Sequence, residues 1–238
     1  MIRQAMNQPL YQTVIDTLIA RIADGTLPPG TMLPSEGDLG RELGVHQGTA
    51  RKALTELEAR GIVQRRQGRG TFVTVHTPDK ALFHFFRLRH PDGSPVNPEL
   101  AEEVVRRRKA KKTETAALFG APDTVFEIER VRTTDGRRTV FETSVVSAAL
   151  FPGLADRGTL PNTLYVLYQH AYACVIVHAE ERLVAARAPV RVTDALDIAP
   201  DTPLMIADRR AIDLADRVVE LRRSYYLTDG YSYDIQLR

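Results

Sequence analysis

The spacing of apolar residues over the first 75 positions predicts three helices followed by a short hairpin. Apolar side chains recur every three or four residues from Leu10 to Ile22, and the segment DGTLPPG then ends this first helix. Ser35, with Asp38 three residues later, suits the N-cap of a second helix. The predicted elements are helices at Leu10 to Ile22, Ser35 to Leu43 and His46 to Arg60, and two strands around a turn at Gln67 to Gly70.

After Val75 the pattern changes to the alternation that is typical of half-buried strands. The polar segment HTPDK suits a linker at residues 76–81, between a first domain at 1–75 and a second domain at 82–238. The strand-like runs are FHFFRLR, EEVVRRRK, TVFEIERVR, RTVFETSVV, CVIVHAEERLVAA, PLMIADRRAI, RVVELRRSYYL and YSYDIQL, with short helices at Thr113 to Phe119, Thr163 to Ala171 and Thr193 to Ile198. We therefore expect an α+β protein whose second domain holds a mostly antiparallel sheet.

The second domain contains an internal repeat. Residues 113–146 align without a gap on residues 191–224, at an offset of 78, with twelve identities in 34 positions. Common residue frequencies would give roughly two or three. Each copy is predicted to form a short helix, an Ala-Pro-Asp-Thr turn, a strand, a hairpin and a second strand. We expect the two copies to complete one sheet, with Glu142 and Glu220 at equivalent positions facing each other across it.

Charge is nearly balanced over the whole chain, at 32 Lys and Arg against 30 Asp and Glu, so net charge alone indicates no polyanionic partner. Between Gly44 and Gly70, however, six basic residues stand against two acidic ones. This local excess falls on the third helix and on the hairpin, which exposes Arg65, Arg66 and Arg69.

Other chemistry is sparse. The single cysteine, Cys174, excludes an intramolecular disulfide and a cysteine-cluster metal site, and we expect a half-buried strand residue there. The six histidines show no metal-ligand spacing. There is no signal-peptide core, and no apolar stretch reaches the roughly 18 residues of a membrane span. The sequence predicts a cytoplasmic protein with no cofactor, no metal and no membrane partner.

The order of helices, tight turn and basic hairpin is that of a winged helix-turn-helix, whose third helix enters the DNA major groove. Thr49, Arg51 and Lys52 supply groups for phosphates. Gln47 can pair bidentately with adenine, and Arg69 would reach a phosphate or the minor groove. The predicted DNA-binding residues are Ser35, His46, Gln47, Thr49, Arg51, Lys52, Arg66, Gln67, Gly68, Arg69 and Gly70.

Several motifs make this half of the chain similar to the winged helix-turn-helix of the GntR family of bacterial transcription regulators. They are the PLY start, LPPG…LPSE, LGV, the R-x-A-L-x-x-L-x-x-x-G helix and the GRGTFV wing, over about Pro9 to Val73. Through FPGL, TLY and RRSYY, the second domain resembles the UTRA ligand-binding module of the HutC subfamily. The resemblance implies a ligand-responsive homodimeric repressor on a near-palindromic operator in double-stranded DNA, with a chorismate-lyase-like second domain.

Two positions depart from the family pattern. The family usually has arginine directly after PSE and again in the turn before the third helix, and both typically contact the operator. Gly37 and Gln47 occupy these places, and His46 lies where a serine or threonine cap is common. Thr49 and Arg51 match the family. We expect base reading to shift toward Gln47.

The resemblance also implies effector-binding positions. Arg130 and Arg132 alternate on one strand, so both lie on one face, where guanidinium groups suit a carboxylate or a phosphate. Thr163 begins a helix, whose N-terminus favours anions. The predicted effector-binding residues are Arg130, Arg132, Glu142, Thr163, Tyr165, Glu220 and Tyr226. They imply a small anionic effector, either a sugar phosphate or an organic acid.

Two other functions stay open at this point. One is an enzyme that uses Glu142 and Glu220 as general acid and base, although no GxSxG motif and no evident partner for Cys174 accompany them. The other is a DNA-binding protein without an effector, in which Arg130 and Glu142 form only an ion pair. The motif QGRGTF resembles a phosphate-binding glycine loop, but it lacks the GK[ST] ending and precedes no helix, which excludes nucleotide binding there.

Overall fold

The computed structural model of the protein describes residues 9–74 and 86–235. Its helices are α1 (Leu10–Ala23), α2 (Glu36–Leu43), α3 (Gln47–Ala59), α4 (Lys112–Ala117), α5 (Leu164–Tyr172) and α6 (Val190–Leu196). Its strands are β1 (Val63–Arg66), β2 (Gly70–Val73), β3 (Leu88–Arg89), β4 (Glu99–Lys109), β5 (Thr124–Thr134), β6 (Arg137–Ser147), β7 (Ile176–Arg187), β8 (Pro203–Asp213), β9 (Val218–Tyr226) and β10 (Ser232–Tyr233). The predicted linker lies outside the described residues, as do the ends of the runs FHFFRLR and YSYDIQL.

The N-terminal domain consists of α1 to α3 and the β1–β2 hairpin, as predicted. Ser35 caps α2, because its Oγ accepts a hydrogen bond from the Asp38 N–H at 3.2 Å and donates one to Asp38 Oδ2 at 2.6 Å. The apolar faces of the three helices share one buried cluster with Ile62, Val63 and Val73 at the hairpin. The prediction of three helices and a wing is confirmed.

Backbone pairing fixes the wing to the chain between α1 and α2. The Leu33 N–H donates to the Thr71 carbonyl at 2.8 Å, and the Val73 N–H donates to the Thr31 carbonyl at 2.9 Å. The proline-rich segment that ends α1 therefore also supports the outer strand of the hairpin.

The C-terminal domain is built on a six-stranded antiparallel sheet in the order β4-β5-β6-β9-β8-β7. One face is covered by α5 and by a 3-10 turn at Leu154–Arg157, which pack on apolar residues of β5, β6 and β9. The opposite face carries α6 at one end and the chain after α4 at the other. In the ranges that the structure describes, no helix has the length and apolar character to cross a membrane.

The two halves of this sheet have the same plan, strand-helix-strand-strand, as β4-α4-β5-β6 and β7-α6-β8-β9. The cross-strand pair Glu103 and Arg130 of the first half corresponds to Glu181 and Arg209 of the second. Equivalent residues are thus 78 positions apart between β4 and β7, and 79 positions apart between β5 and β8. The offset is 80 between β6 and β9, because the second hairpin has one residue more. The duplication extends to β4 and β7, beyond the aligned sequence.

The prediction that Glu142 and Glu220 are equivalent was therefore wrong. The structural counterpart of Glu142 is Arg222, since the two lie 80 residues apart in β6 and β9. Two inserted residues shift the register by two, so both glutamates still point to one face. Only one inserted residue precedes β8, so the structural counterpart of Arg132 is Ala211. Arg210, which aligns with Arg132 in sequence, therefore lies on the opposite face of the sheet.

The two domains are in contact through apolar side chains. Val175 and Leu214 of the C-terminal domain are buried in the same hydrophobic cluster as α1, α2 and α3, and Val177 packs against this cluster. Cys174 and Ile176, the neighbours of Val175 in the chain, are buried in the core beneath α5 instead. The segment before β7 therefore contributes to both cores.

Candidate functional site

The connection between α2 and α3 is tight because a glycine lies at their point of closest approach. A Cβ on Gly40 would lie 2.8 Å from the Val45 carbonyl oxygen, and the Val45 N–H donates to the Gly40 carbonyl at 2.9 Å. A side chain at Gly40 would push α3 away from α2. Sequence reasoning missed this residue, although glycine within a helix is itself a signal of close packing.

His46 is the N-cap of α3. Its Nδ1 accepts a hydrogen bond from the Gly48 N–H at 3.1 Å, in the way that a serine or threonine oxygen would. A Cβ on Gly48 would lie 3.3 Å from this ring nitrogen, so glycine leaves room for the imidazole. The HQG sequence thus forms a capped helix start with an unusual capping residue.

The predicted base-reading and phosphate-binding residues of α3 differ in their exposure and in their contacts with neighbouring side chains. Gln47, Arg51 and Lys52 are exposed, and Thr49 is half-buried. Arg51 Nε donates to Glu36 Oε2 at 2.8 Å, and Lys52 Nζ lies 4.0 Å from the centre of the Tyr11 ring. No described residue bonds the Gln47 side chain, so Gln47 is the residue of α3 most available to an external partner.

The tip of the wing carries exposed cations. Arg69 lies in the turn and forms no ion pair with any residue that the structure describes, whereas the Arg66 guanidinium lies 4.7 Å from the centre of the Phe72 ring. Positive φ angles at Gly68 and Gly70 form the turn. Arg65 instead links the wing to α3, donating to Glu58 Oε2 at 3.1 Å. All five predicted wing residues are exposed: Arg66, Gln67, Gly68, Arg69 and Gly70.

In the C-terminal domain, charged side chains are concentrated on the sheet face beneath α5. Four arginines and four glutamates form largely buried ion pairs there: Arg130–Glu103 at 2.5 Å, Arg132–Glu142 at 2.8 Å, Arg209–Glu181 at 2.6 Å and Arg222–Glu220 at 2.9 Å. The first and third pairs are equivalent in the duplicated sheet. Each buried charge has an opposite charge beside it, which offsets the cost of its desolvation.

Glu142 is shared between two arginines. Its Oε1 accepts from Arg132 Nε and Nη2 at 2.9 and 2.8 Å, and its Oε2 lies 3.5 Å from Arg222 Nη1. Burial raises the pKa of Glu142, but Arg132, Arg222 and Arg130 outweigh burial and lower this pKa to about 2. Glu142 is therefore ionised at neutral pH.

Glu220 is completely buried and is held from above by α5. The hydroxyls of Tyr165 and Tyr168 donate to its carboxylate at 3.1 and 2.8 Å. Burial, followed by the charge of Glu220, raises the pKa of Tyr165 to about 12 and holds the pKa of Tyr168 well above its usual value. Both hydroxyls stay protonated. Tyr168 was not predicted, although its spacing of three from Tyr165 places it on the same helix face.

A cavity of about 40 Å³ lies between this sheet face and the start of α5. It is lined by Phe86, Arg132, Glu142, Asn162, Thr163, Leu164, Tyr165, Arg209, Arg222 and Tyr226. Five of the seven predicted effector-binding residues meet there. Arg130 lies behind the cavity and donates to Glu103 and to the carbonyls of Pro161 and Asn162, and Glu220 lies beneath Tyr165.

Sequence reasoning missed two of the cavity's cations, Arg209 and Arg222. They face each other across β8 and β9, an arrangement of like charges that is unfavourable without anions nearby. The RR pairs at both positions were visible in the sequence, but only the strand register shows which arginine of each pair points inward.

A larger groove of about 790 Å³ is open on the opposite face, between α4 and α6. Its charges are neutralised by exposed ion pairs, such as Arg223–Asp208 and Arg210–Glu180. The predicted effector-binding side chains point away from this groove. The small cavity, with its buried charges, is therefore the candidate effector site.

Cys174 has no place in either candidate site. Its thiol is buried beneath α5, and burial, followed by the charge of Asp213, raises its pKa to about 12. A thiol with such a pKa is not a nucleophile at neutral pH.

A winged helix-turn-helix joined to a domain with a charged cavity is the architecture of a class of ligand-responsive transcription regulators. Comparison with known protein families gives the family: residues 10–73 match the bacterial regulatory proteins of the gntR family, and residues 99–232 match the UTRA domain. The chain belongs to the GntR family, in its HutC subfamily, and is a transcriptional regulator with a UTRA effector domain.

Individual relatives agree with this assignment. The chain is 30% identical over 178 residues to the HTH-type transcriptional regulator SmoD of Agrobacterium fabrum, covering 74% of this chain and 73% of SmoD. It is 26% identical over 235 residues to the Mannosyl-D-glycerate transport/metabolism system repressor MngR of Escherichia coli, covering 96% of both chains. The crystal structure of PhnF from Mycobacterium smegmatis superimposes with a TM-score of 0.56 at 25% identity, covering 94% of this chain and 99% of PhnF.

Proposed function

We propose that the protein is a homodimeric repressor that leaves its operator when a small anionic metabolite binds in the cavity beneath α5. The observation that carries this proposal is the convergence of Arg132, Arg209 and Arg222 on one small cavity. Guanidinium groups bind carboxylates and phosphates through paired hydrogen bonds. Glu142 lies among these arginines and would accept hydrogen bonds from hydroxyl groups of the ligand.

The effector class that fits these groups is a sugar phosphate or an organic acid. Such molecules combine an anionic group with hydroxyl groups, as the arginines and Glu142 require. One relative is named as the repressor of a mannosyl-D-glycerate transport/metabolism system, which supports the repressor function.

We propose that Gln47 reads a base in the major groove and that Thr49, Arg51, Lys52, Arg66 and Arg69 contact phosphates. His46 and Ser35 would act there mainly as helix caps, which hold the first turns of α3 and α2 against the DNA backbone. Two such domains related by a two-fold axis would read a near-palindromic operator, one half-site each.

The enzyme alternative has little support in the geometry. A general acid or base needs a pKa near the working pH and access to substrate. Glu142 has its pKa lowered to about 2 by the neighbouring arginines, which outweigh its burial, and Glu220 is held by two tyrosines and Arg222. We propose that the protein has no catalytic activity.

DNA binding is tested with the full-length protein and DNA fragments from its own gene neighbourhood, in a mobility-shift assay over a range of salt concentrations. Arg69→Ala should weaken binding and reduce the slope of log affinity against log salt by about one. Arg41→Ala, a matched change of an exposed arginine on α2, should leave the slope unchanged. Failure of the wild-type protein to select any of these fragments over random DNA would contradict the proposal.

The effector is tested by thermal-shift measurements with glucose 6-phosphate, glucosamine 6-phosphate, citrate and glycerate. At least one of these anions should raise the melting temperature of the wild-type protein and release it from DNA. Tyr226→Phe keeps the ring and removes a hydroxyl at the cavity wall, and it should reduce the shift in melting temperature that this anion causes. A wild-type protein that binds DNA equally well with every anion tested would count against this effector class.

A further inference from the structure

The C-terminal domain holds the N-terminal domain through a small apolar surface, the docking patch, formed by Val175, Val177 and Leu214. Val175 and Leu214 are only 8% and 5% exposed, and they are buried in the hydrophobic cluster of α1, α2 and α3. The Leu214 N–H donates to the Val175 carbonyl at 2.9 Å, which keeps the two side chains together. The occupant of this surface is the helical core of the same chain.

One connection from the docking patch to the cavity runs through α5. Val175 lies three residues after the end of this helix, and the Cys174 N–H donates to the Tyr168 carbonyl at 3.0 Å. Tyr168 binds Glu220 through its hydroxyl, and Tyr165, one turn earlier, lines the cavity. A shift of α5 along its axis therefore moves Val175.

A second connection runs through β8. This strand leads from Arg209 at the cavity to Asp213, whose carboxylate accepts hydrogen bonds from the backbone N–H groups of Ala215 and Arg217 at 3.0 Å each. These bonds hold the turn that presents Leu214. Leu214 thus belongs to one rigid element with the sheet side of the cavity, whereas Val175 follows α5 on the helix side, where motion is expected.

The cavity is too small to enclose a metabolite without such motion. Its volume of about 40 Å³ is little more than that of one or two water molecules, and a metabolite needs several hundred Å³. Thr163, Leu164 and Tyr165, at the start of α5, form one wall, whereas the opposite wall is the six-stranded sheet. Gln169 on α5 is 4% exposed, and neither polar atom of its side chain has a partner among the described residues. The helix is therefore the wall that yields most readily.

We propose that the docking patch is a releasable contact between the two domains and that α5 couples it to the cavity. This inference rests on the proposed function in placing the effector beneath α5. Entry of the effector displaces the start of α5, the displacement reaches Val175 through the Cys174 segment, and the N-terminal domain is released from its position.

The contact is tested by hydrogen exchange of the full-length protein without DNA or effector. Leu214→Asp places a charge in the apolar patch and should make the slowest amides of α1 and α3 exchange roughly tenfold faster. Val184→Asp is the matched control, since Val184 lies on β7 but is 48% exposed, and should change nothing in α1 or α3. Unchanged exchange in Leu214→Asp would overturn the proposal.

The coupling is tested by a double-mutant cycle with the same readout. Tyr168→Phe removes the shorter of the two hydrogen bonds between α5 and Glu220. It should speed exchange in α1 and α3 severalfold, but should add nothing in the Leu214→Asp background. Tyr172→Phe is the control on the same helix, because the Tyr172 hydroxyl accepts a bond from Arg157 and not from the cavity. Equal effects of Tyr168→Phe in both backgrounds would show that α5 and the patch are independent. Tyr165→Phe gives a second measurement if Tyr168→Phe does not fold.

The two proposals fail in different ways. The exchange measurements need neither operator nor metabolite, so a dependence of α1 and α3 on Tyr168 that vanishes in Leu214→Asp establishes the coupling by itself. If a metabolite releases DNA from the wild-type protein and equally from Leu214→Asp, the effector proposal stands and the docking patch is not the route.

Discussion

The two domains of this protein use arginine in opposite ways. In the winged helix-turn-helix domain, Arg66 and Arg69 are exposed at the wing. In the UTRA domain, Arg130, Arg132 and Arg209 are at most 5% exposed, and each has a glutamate beside it. An exposed cation contributes little to folding and stays available to a polyanion. The stability of a whole domain, in contrast, depends on each buried cation keeping its anionic partner.

This difference determines what a mutation can reveal. A substitution of Arg69 at the wing separates DNA binding from folding, because Arg69 has no ion-pair partner among the described residues that would be left behind. A substitution in the buried network always leaves an uncompensated charge, so loss of effector response and loss of stability come together unless both members of a pair are replaced.

The largest expected effect is on the stability of the UTRA domain. Arg132→Ala leaves Glu142 buried without its closest partner and should lower the free energy of unfolding by about 3–5 kcal/mol in urea denaturation. Arg69→Ala should change it by less than about 0.5 kcal/mol. The double variant Arg132→Met, Glu142→Leu should recover part of the loss. An Arg132→Ala variant as stable as the wild type would contradict the proposed contrast between the domains.

The pH dependence of stability should also distinguish the two domains. The pKa of Glu142 is lowered to about 2 in the folded protein, since the arginines outweigh burial, whereas an unfolded glutamate titrates near 4.3. The stabilisation is complete above the unfolded pKa and is lost as the pH falls from about 5 toward 2, by on the order of 3 kcal/mol. Urea denaturation at pH 5 and pH 3 should show a smaller pH-dependent loss in Glu142→Gln than in the wild type, and equal losses would contradict this role.

A smaller effect is expected on operator choice. Gln47→Arg should move the preferred base at one position of each half-site, from adenine toward guanine, with a discrimination of about 1–3 kcal/mol. Arg51→Ala should instead weaken all sites together. Selection from a randomised DNA library checks both, and an unchanged preference in Gln47→Arg would show that this residue does not read bases.

The smallest effect is expected at the cap of α3. His46→Ala removes the acceptor for the Gly48 N–H and should destabilise the winged domain by about 1 kcal/mol, whereas His46→Ser should keep most of the stability. Thermal unfolding of the two variants checks this. A His46→Ala variant as stable as the wild type would mean that the imidazole contributes no capping.

The elements of the winged domain could be predicted almost completely from the sequence, because their signals are local. The Ser35 cap, the αL glycine at Gly44 and the apolar faces of the helices each depend on residues a few positions apart. The capping bond of His46 was harder to predict, since histidine is rarely used in this way; the family resemblance, in which a serine or threonine cap is common at this position, was the signal for it.

The UTRA domain was predictable in its strands but not in its register. The repeat was visible, yet the two inserted residues that make Arg222 the counterpart of Glu142 depend on a turn and a hairpin loop that alignment at a constant offset conceals. The ion pairs between distant strands, such as Arg209 with Glu181, follow from that register. The contact of Val175 with the other domain leaves no pattern in the local sequence.

The insertions in the second half of the sheet have a consequence for stoichiometry. A perfectly duplicated sheet would present two identical half-sites related by its two-fold axis and could take a ligand in either of two orientations. Here Ala211 occupies the position of Arg132 in the other half, and Arg222 occupies the position of Glu142. The two ends of the cavity therefore differ in charge. An asymmetric metabolite would therefore bind in a single orientation, and calorimetry should count one molecule per chain.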